Sequence, residues 1–325
     1  MIRSSIHKIE HSVFQSQQPR EVQVQLSLEK LSALQEVSFQ IRRLSVEMIT
    51  WSKWGHIGGS FSMAELLALL YFQVMSVRPE QADWVDRDRL VLSKAHGSPA
   101  LYAVLALRGY YPVDEIYTYC ELGGFEGHTD MTRTPGLEAS GGPLGMGLSV
   151  AVGMALGMRF KENARGRVFC ILGDGETNEG NVWEAAMSAA HYHLDNLIAI
   201  VDYNKVMAKG YVWDEMAIEP FADKWRAFGW DVVEVDGHDL PALADAFHRA
   251  RWVMPCGKPI VVIAHTVKGK GVEMAEFNYK WHTHAPDPAT ADAMIRELAR
   301  TYGKPEQGYS KLGQPEVKED FYGGE

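Results

Sequence analysis

The strongest constraint on the fold of this chain is an alternation of short β-rich runs and helical stretches between residues 168 and 266. Runs of β-branched and apolar residues predict strands at 168–172, 197–201, 231–235 and 260–264, and apolar residues at helical spacing predict helices at 181–193 and 241–253. Such alternation is typical of right-handed crossovers between parallel strands. We therefore predict an α/β fold, with a mostly parallel sheet and helices on both of its faces.

The segment before this region also has helical character. Apolar residues recur at helical spacing over 28–51, and a glycine-rich loop that holds His56 follows. We expect a second helix to begin at Ser62, with the Ser62 hydroxyl capping its first turn and Glu65 reaching back to the cap. The chain is divided into a polar N-terminal extension (1–26), one folded domain (27–302) and a polar C-terminal tail (303–325).

Charge and composition exclude several classes of partner. With 32 Lys and Arg against 42 Asp and Glu, the formal net charge is -10, which disfavours nucleic acid. No apolar run is long enough to cross a membrane, and no signal-type segment is present. Cys120, Cys170 and Cys256 are widely spaced and suggest neither a disulfide framework nor a zinc site. We predict a cytoplasmic protein that binds neither nucleic acid nor membrane.

Polar side chains follow two of the predicted strands at the point where each strand ends. Gly173-Asp174-Gly175 follows the first strand, and Asn204 follows the second. The carboxyl ends of parallel strands share one edge, where ligands collect. A carboxylate and an amide oxygen suit Mg²⁺ or Ca²⁺ bound to a phosphate group better than they suit zinc. The alternative is a tight turn with an Asp cap and an unrelated Asn.

This spacing resembles the thiamine diphosphate motif, and the flanking sequence is similar to transketolases from about Leu31 to about Pro286. Further similar blocks are 42–45, 55–56, 62–72, Asp88 to Gly97, Gly127-His128, Gly142-Pro143-Leu144-Gly145, 173–180, Asp236-Gly237-His238, Lys268 to Gly271 and Trp281-His282. The resemblance implies the thiamine diphosphate-binding fold of the transketolase diphosphate-binding domain.

The resemblance also implies a cofactor, a metal and their ligands. Asp174, Asn204 and the backbone oxygen of Val206 would bind Mg²⁺, for which Ca²⁺ is a possible substitute. The residues expected to bind thiamine diphosphate are His96, Gly142, Pro143, Leu144, Gly175, Glu176, Asn204, Lys268 and His282. Lys94 and Lys268 would supply positive charge near the phosphates.

Three histidines are the expected catalytic residues. By the resemblance, His56 and His128 line the channel for the sugar, and His282 lies near the diphosphate and the substrate. Imidazole titrates near neutral pH and suits the removal of a hydroxyl proton. His284 competes with His282 for this position, and we favour His282 because a Trp-His pair precedes Ala-Pro in related sequences. Without the family, His282 and His284 with an Asp could suggest a metal-dependent hydrolase, although no third ligand has a persuasive spacing.

Full-length transketolases are about twice as long as this chain, and they contain a pyrimidine-binding domain with a cofactor-activating glutamate. We therefore expect the diphosphate-binding subunit of a two-subunit transketolase, which transfers a two-carbon ketol unit between sugars or sugar phosphates. The expected partner is a C-terminal subunit that carries the pyrimidine-binding domain, in a heterotetramer with two copies of each chain.

Three positions depart from the family pattern and leave the substrate open. They are Ile57, Met146 and Tyr203, which we expect near the donor channel and the cofactor. One alternative is a pyruvate-decarboxylating carboligase subunit of the deoxyxylulose-phosphate synthase type, partly evoked by the loop that begins at Gly55. The other is a non-catalytic scaffold or regulatory subunit. The intact predicted ligands and histidines argue against a scaffold.

Overall fold

The computed structural model describes residues 26–160, 166–306 and 308–309. Its central feature is a five-stranded sheet whose paired strands are all parallel. The strands are β1 (Arg89–Leu92), β2 (Val168–Gly173), β3 (Leu197–Tyr203), β4 (Asp231–Asp236) and β5 (Ile260–His265), in the spatial order β1-β2-β3-β5-β4. The predicted parallel sheet is confirmed. Sequence reasoning missed β1, which has only four residues and no alternating pattern.

Ten α-helices surround the sheet in the part of the chain that the structure describes. They are α1 (Leu28–Ser52), α2 (Ile57–Ser62), α3 (Ala64–Leu69), α4 (Ser98–Arg108), α5 (Gly147–Arg159), α6 (Gly180–His191), α7 (Val212–Glu215), α8 (Phe221–Ala227), α9 (Leu240–His248) and α10 (Pro288–Thr301). The predicted helix at 241–253 is α9 followed by a π-helical turn, Arg249–Val253. No described helix is both long enough and apolar enough to span a bilayer.

Alternate residues of the strands enter two different cores, one on each face of the sheet. Phe169 and Ile171 of β2 pack in the core formed with α1, α3, α4 and α9. Val168 and Cys170 of the same strand pack in the core formed with α5, α6 and α8. Because successive side chains of a strand point to opposite faces, this separation requires helices on both sides, as predicted.

A third core joins α1 to α10 at one end of the molecule. It contains Phe39 and Val46 of α1, Met294 and Leu298 of α10, and Tyr309. Tyr309 therefore packs against the folded domain although it falls within the predicted 303–325 tail. The predicted 1–26 extension lies outside the described residues except for Leu26.

The helix start predicted at Ser62 is wrong. The helix expected there, α3, begins at Ala64 with Met63 as its N-cap residue, whereas Ser62 is fully buried at the end of the preceding helix α2, where its hydroxyl donates to Asp202. The sequence suggested a loop because of Gly58 and Gly59. Their lack of side chains serves packing instead, since a Cβ at Gly58 would lie 2.9 Å from Lys268 Cγ and one at Gly59 would lie 3.3 Å from His96 Nε2.

Glu65 does not reach back to a helix cap either. Its two oxygens accept hydrogen bonds from the buried Arg42 guanidinium, both at 2.7 Å, and Glu65 Oε2 also lies 2.9 Å from His238 Nδ1. The Tyr302 hydroxyl donates to Glu65 at 2.9 Å. This buried cluster connects α1, α3, the loop after β4 and the end of α10, and the Arg42 charge lowers the pKa of Glu65 despite its burial.

Candidate active site

The predicted metal ligands meet at the carboxyl ends of β2 and β3. Gly173 of β2 pairs with Asp202 of β3, so that the following residues of both strands lie side by side. Asp174 and Asn204 are both buried. One oxygen of the Asp174 carboxylate accepts from the Lys205 backbone N–H at 2.5 Å, which ties the two loops together. The expected proximity of these two strand ends is therefore present in the structure.

The donor atoms at this edge suit a hard divalent cation. The Asn204 side-chain oxygen accepts from the Val206 N–H at 3.2 Å, so the amide oxygen faces the loop that Val206 begins. Burial, followed by the nearby Asp202 charge, raises the pKa of Asp174 to about 6. A nearby cation would stabilise the charged form of this buried carboxylate. One carboxylate, one amide and a backbone carbonyl are all oxygen ligands of the kind that Mg²⁺ and Ca²⁺ take. Among the described residues, no three His, Cys, Asp or Glu side chains form a metal cluster.

Lys268 lies directly beside this set. Its ammonium donates to the backbone oxygens of Val206 at 2.8 Å and Met207 at 3.1 Å. The side chain is buried, and burial followed by the charge of Lys94 lowers its pKa to about 7. Lys268, which was predicted to supply positive charge near a phosphate, therefore contacts the carbonyl of the third predicted metal ligand.

Asp202 and the groups that donate hydrogen bonds to it form the inner end of the site, which we call the site floor. It is fully buried, and it accepts from the Ser62 hydroxyl at 2.6 Å, from the Thr266 hydroxyl, from the Asn204 amide at 3.1 Å and from the Lys94 ammonium. Burial raises its pKa, but the Lys94 charge and these hydrogen bonds prevail, so the net shift is downward. Lys94 is thus paired with Asp202, and its proposed contribution of positive charge near a phosphate stays a prediction.

Four predicted histidines form a cluster above this floor. The His56 ring lies 5.2 Å from His96, 5.3 Å from His282 and 6.2 Å from His128, measured between ring centroids. His96 and His282 are 5.2 Å apart. The Nδ1 atom of His56 is buried and has no hydrogen-bond partner within the described residues. A buried polar atom without a partner costs free energy, so this nitrogen is available to a bound molecule.

Burial favours the neutral form of the histidines in this cluster. Burial, followed by the positive charges and imidazoles nearby, lowers the pKa of His56 to about 4 and that of His282 to about 3. The pKa values of His96 and His128 are also lowered, chiefly by burial. A neutral imidazole offers one N–H donor and one acceptor, so each ring can hold or accept a proton at a substrate hydroxyl.

His282, rather than His284, belongs to the cluster. His282 Nδ1 lies 2.8 Å from Lys268 Nζ; when Lys268 is protonated, its ammonium has only donors, so Nδ1 accepts and Nε2 carries the proton. His284 is exposed and packs edge-on against Trp281, with ring centroids 4.8 Å apart. The two histidines therefore face different surroundings and do not form the ligand pair of a hydrolase.

The loop at Gly142, Pro143 and Leu144, which was predicted to bind the cofactor, has exposed residues and is held in place by Glu176. Pro143 and Leu144 are exposed, and a Cβ at Gly142 would meet no atom within 4 Å. Glu176 was expected to bind the cofactor. In the structure its carboxylate accepts from the Ser93 hydroxyl at 2.5 Å and from the backbone N–H groups of Gly145 at 2.8 Å and Gly173 at 2.9 Å, and cofactor binding by Glu176 stays a prediction. Glu176 thus positions this loop against β2. The carboxylate makes these bonds to the protein itself.

Gly175 and two of the three positions that depart from the family pattern, Ile57 and Tyr203, have local packing contacts in the structure. A Cβ at Gly175 would lie 2.7 Å from Met207 Cγ, so Gly175 allows the β2 and β3 loops to pack together. Ile57, expected near the donor channel, is fully buried in the third core. Tyr203 stacks on Phe221 and donates to Glu219 at 2.5 Å, whereas Met146 is exposed.

Sequence reasoning missed Asp202, Ser62 and Thr266 as parts of the site. A carboxylate within the apolar run 197–203 was a usable sign, since a buried charge requires partners. Ser62 and Thr266 had no sequence sign, because their role depends on which helix and loop pack over β3.

Comparisons with known proteins identify the family of this chain. Residues 34–313 match the family model for the transketolase thiamine diphosphate binding domain. The 6-deoxy-6-sulfo-D-fructose transketolase subunit SqwG of Clostridium sp. (strain MSTE9) is 43% identical over 268 residues, which cover 82% of this chain and 96% of that protein. One of the subunits of the apulose-4-phosphate transketolase of Phocaeicola vulgatus is 36% identical over 278 residues, 86% of this chain and 98% of that protein.

Solved structures give the same result. The transketolase from Leishmania mexicana matches with a TM-score of 0.78 at 30% identity, over 85% of this chain and 42% of that one. The chain therefore spans about two fifths of the length of this solved transketolase, while it covers nearly all of the two bacterial subunits. From the matching family model, the half-length relatives and the parallel-sheet fold, we conclude that this chain belongs to the transketolase family as its N-terminal, thiamine diphosphate-binding subunit.

Proposed function

We propose that this chain uses thiamine diphosphate and Mg²⁺ to transfer a two-carbon ketol unit between sugars or sugar phosphates, together with a second subunit. The observation that carries the proposal is the convergence of Asp174, Asn204 and the Val206 carbonyl with four histidines at one edge of the sheet. The family assignment supports the cofactor, and the oxygen donor set supports the metal.

The residues of this chain have distinct proposed roles toward the cofactor. Asp174, Asn204 and the Val206 carbonyl would hold Mg²⁺ beside the diphosphate, and Lys268 would offset its remaining negative charge. His96, adjacent to Gly59, would donate to the diphosphate, and Gly175 would border it. When bound, thiamine diphosphate supplies the nucleophilic carbon and the electron sink for reaction at a ketose carbonyl.

The histidines would handle protons and substrate hydroxyls. His56 and His128 would bind the sugar hydroxyls in the channel, where the unpartnered His56 Nδ1 offers one hydrogen-bonding position. His282 would hold its Nε2 proton toward the substrate, because Lys268 occupies the Nδ1 side. Their neutral state suits both acceptance and return of a hydroxyl proton.

The substrate is proposed only as a class. The two bacterial relatives are named for transketolase reactions of 6-deoxy-6-sulfo-D-fructose and of apulose-4-phosphate. We propose a ketose or ketose phosphate donor for this chain as well. A specialised pathway of carbohydrate metabolism in the cytoplasm fits these names and the predicted location.

The second subunit would carry the pyrimidine-binding domain and its activating glutamate. The names of the half-length relatives, which describe subunits, support such a partner. Pro143 and Leu144, which would border the rings of the cofactor, are exposed, and this supports a site that another chain completes. We propose two copies of each subunit, so that each cofactor lies between two different chains.

Co-purification of this chain with a candidate second subunit tests the proposal. We expect two-carbon transfer from a ketose donor only by the assembled pair, and thiamine diphosphate binding by calorimetry only with Mg²⁺ present. Asp174→Ala should abolish both. Asp83→Asn, which changes an exposed carboxylate outside the site, should change neither. Robust transfer by this chain alone, or cofactor binding unaffected by Asp174→Ala, would contradict the proposal.

A pyruvate assay separates the neighbouring reaction class. If the assembled pair releases CO₂ from pyruvate and fails to use ketose donors, the protein is a decarboxylating carboligase of the deoxyxylulose-phosphate synthase type. We expect no CO₂ release.

A further inference from the structure

Trp54 lies at the outer end of a series of contacts that begins at the metal ligands. Lys268 touches the Val206 carbonyl and His282, and His282 lies 5.3 Å from His56. The Trp54 ring lies 5.1 Å from His56. Lys268 and His56 are buried, with exposed fractions of 2% and 6%, and His282 is partly exposed, whereas 38% of Trp54 is exposed. The indole therefore stands where the histidine cluster opens to solvent.

The local backbone holds the indole in this position. Helix α1 ends at Ser52, and Lys53 adopts a left-handed conformation with φ of 59°. The Ser52 hydroxyl donates to the Trp54 carbonyl at 2.7 Å. Gly55 has φ of 149°, which an L side chain rarely adopts. The turn after α1 therefore restricts the backbone at Trp54 and places its ring beside His56.

The indole is also wedged between neighbouring groups. It meets His56 nearly edge-to-face at 86°, and its centroid lies 5.7 Å from that of His128. A Cβ at Gly127 would lie 2.5 Å from Trp54 Cζ3, so the benzene edge of the ring rests on a backbone that lacks a side chain. This close approach fixes the ring beside both channel histidines.

Two features of the indole remain available to a ligand. Within the part of the chain that the structure describes, the indole N–H has no hydrogen-bond partner, and more than a third of the side chain is exposed. A flat apolar surface with one donor at its edge complements a sugar, which presents C–H groups and hydroxyl acceptors together.

We propose that Trp54 is a specificity-determining residue that contacts the sugar substrate at the outer end of the channel, beyond His56 and His128. The inference rests on the proposed function. The indole contributes a surface for the C–H groups of the carbon chain and a donor for a hydroxyl or a charged group farther from the carbonyl. It selects among ketose donors and leaves the cofactor site unaltered.

Steady-state kinetics of the assembled two-subunit enzyme with a panel of ketose and ketose phosphate donors tests this inference. Trp54→Ala should raise the KM of the preferred donor roughly tenfold, through loss of one hydrogen bond and of apolar contact, with kcat within about twofold. Trp54→Phe, which keeps a ring and removes the N–H, should have a smaller effect. Gly127→Ala should act like Trp54→Ala because it displaces the indole without removing it.

Three control measurements separate the loss of a substrate contact from a general defect in folding or cofactor binding. Trp252→Ala removes another exposed indole, outside the site, and should leave the KM unchanged. Thiamine diphosphate affinity and the unfolding temperature should be the same in the Trp54 variants as in the wild type. Unchanged KM values for all donors, or a joint loss of kcat, cofactor affinity and thermal stability, would overturn the inference alone. An assembly without any two-carbon transfer would overturn the proposed function and this inference with it.

Discussion

Replacement of Asp202 by asparagine tests the electrostatics of the site floor. The Asp202 carboxylate and the Lys94 ammonium are both almost fully buried and in direct contact, and Lys94 has one further partner, the Gly59 carbonyl at 2.9 Å. The substitution preserves side-chain volume but leaves the ammonium without its counter-charge. It also turns an amide N–H₂ toward at least one hydrogen-bond donor.

The expected cost is that of breaking a buried ion pair by removal of one partner, about 3–5 kcal/mol. An unfolding entropy of roughly 2.1 cal/mol/K per residue over about 280 described residues converts this to a fall in Tm of about 5–9 °C. The measurement is the thermal transition followed by circular dichroism, without cofactor or metal.

A matched variant and a double variant control for unrelated effects. Asp231→Asn disrupts a pair with Lys258, which is more than half exposed, and should cost less than about 1 kcal/mol. Asp202→Asn combined with Lys94→Met leaves no unpaired buried charge and should recover much of the loss. If Asp202→Asn melts within about 2 °C of Asp231→Asn, or if the double variant is as unstable as the single one, the assigned role of this ion pair is wrong.

Three other measurements follow from the site geometry. Burial lowers the pKa of His56 from 6.5 to about 4, so the unfolded state takes up a proton at higher pH than the folded state does, and the contribution of His56 to stability is complete above pH 6.5 and is lost as pH falls toward 4. His56→Asn should therefore reduce the fall in Tm over this pH range, and an unchanged slope of Tm against pH would contradict the pKa shift. Glu176→Gln should lower the free energy of unfolding by about 1–3 kcal/mol and increase backbone hydrogen exchange in segment 142–147. The control Glu179→Gln, at an exposed position, should do neither, and equal exchange in both variants would rule out the anchoring role of Glu176. In the assembled enzyme, His282→Asn should reduce two-carbon transfer by about 10²-fold and His284→Asn by less than about twofold, and the reverse order would exchange the assignment of the two histidines.

The fold and the position of the site were predictable because both depend on local patterns. The buried strands at 168–172 and 197–201 gave the parallel sheet, and polar residues at their carboxyl ends gave Asp174 and Asn204. The proximity of His56, His96, His128 and His282 followed only from family resemblance, since they come from separate segments of the chain.

The remaining parts of the site depend on tertiary contacts that a single sequence does not reveal. Helix α2 was predicted as a loop because Gly58 and Gly59 normally weaken helices. Their packing against Lys268 and His96 is visible only in the structure. The helix cap assigned to Glu65 was wrong because a distant arginine, Arg42, binds the same carboxylate.

The hydrogen bonds at Asp202 have a consequence for how such an enzyme can diversify. Helix α2 and the segments that follow β1, β3 and β5 all donate hydrogen bonds to this one carboxylate, so loss of the carboxylate would affect all four segments. Trp54 shares none of these hydrogen bonds. We therefore expect substitutions at Trp54 to change sugar preference while the hydrogen bonds around Asp202 stay intact.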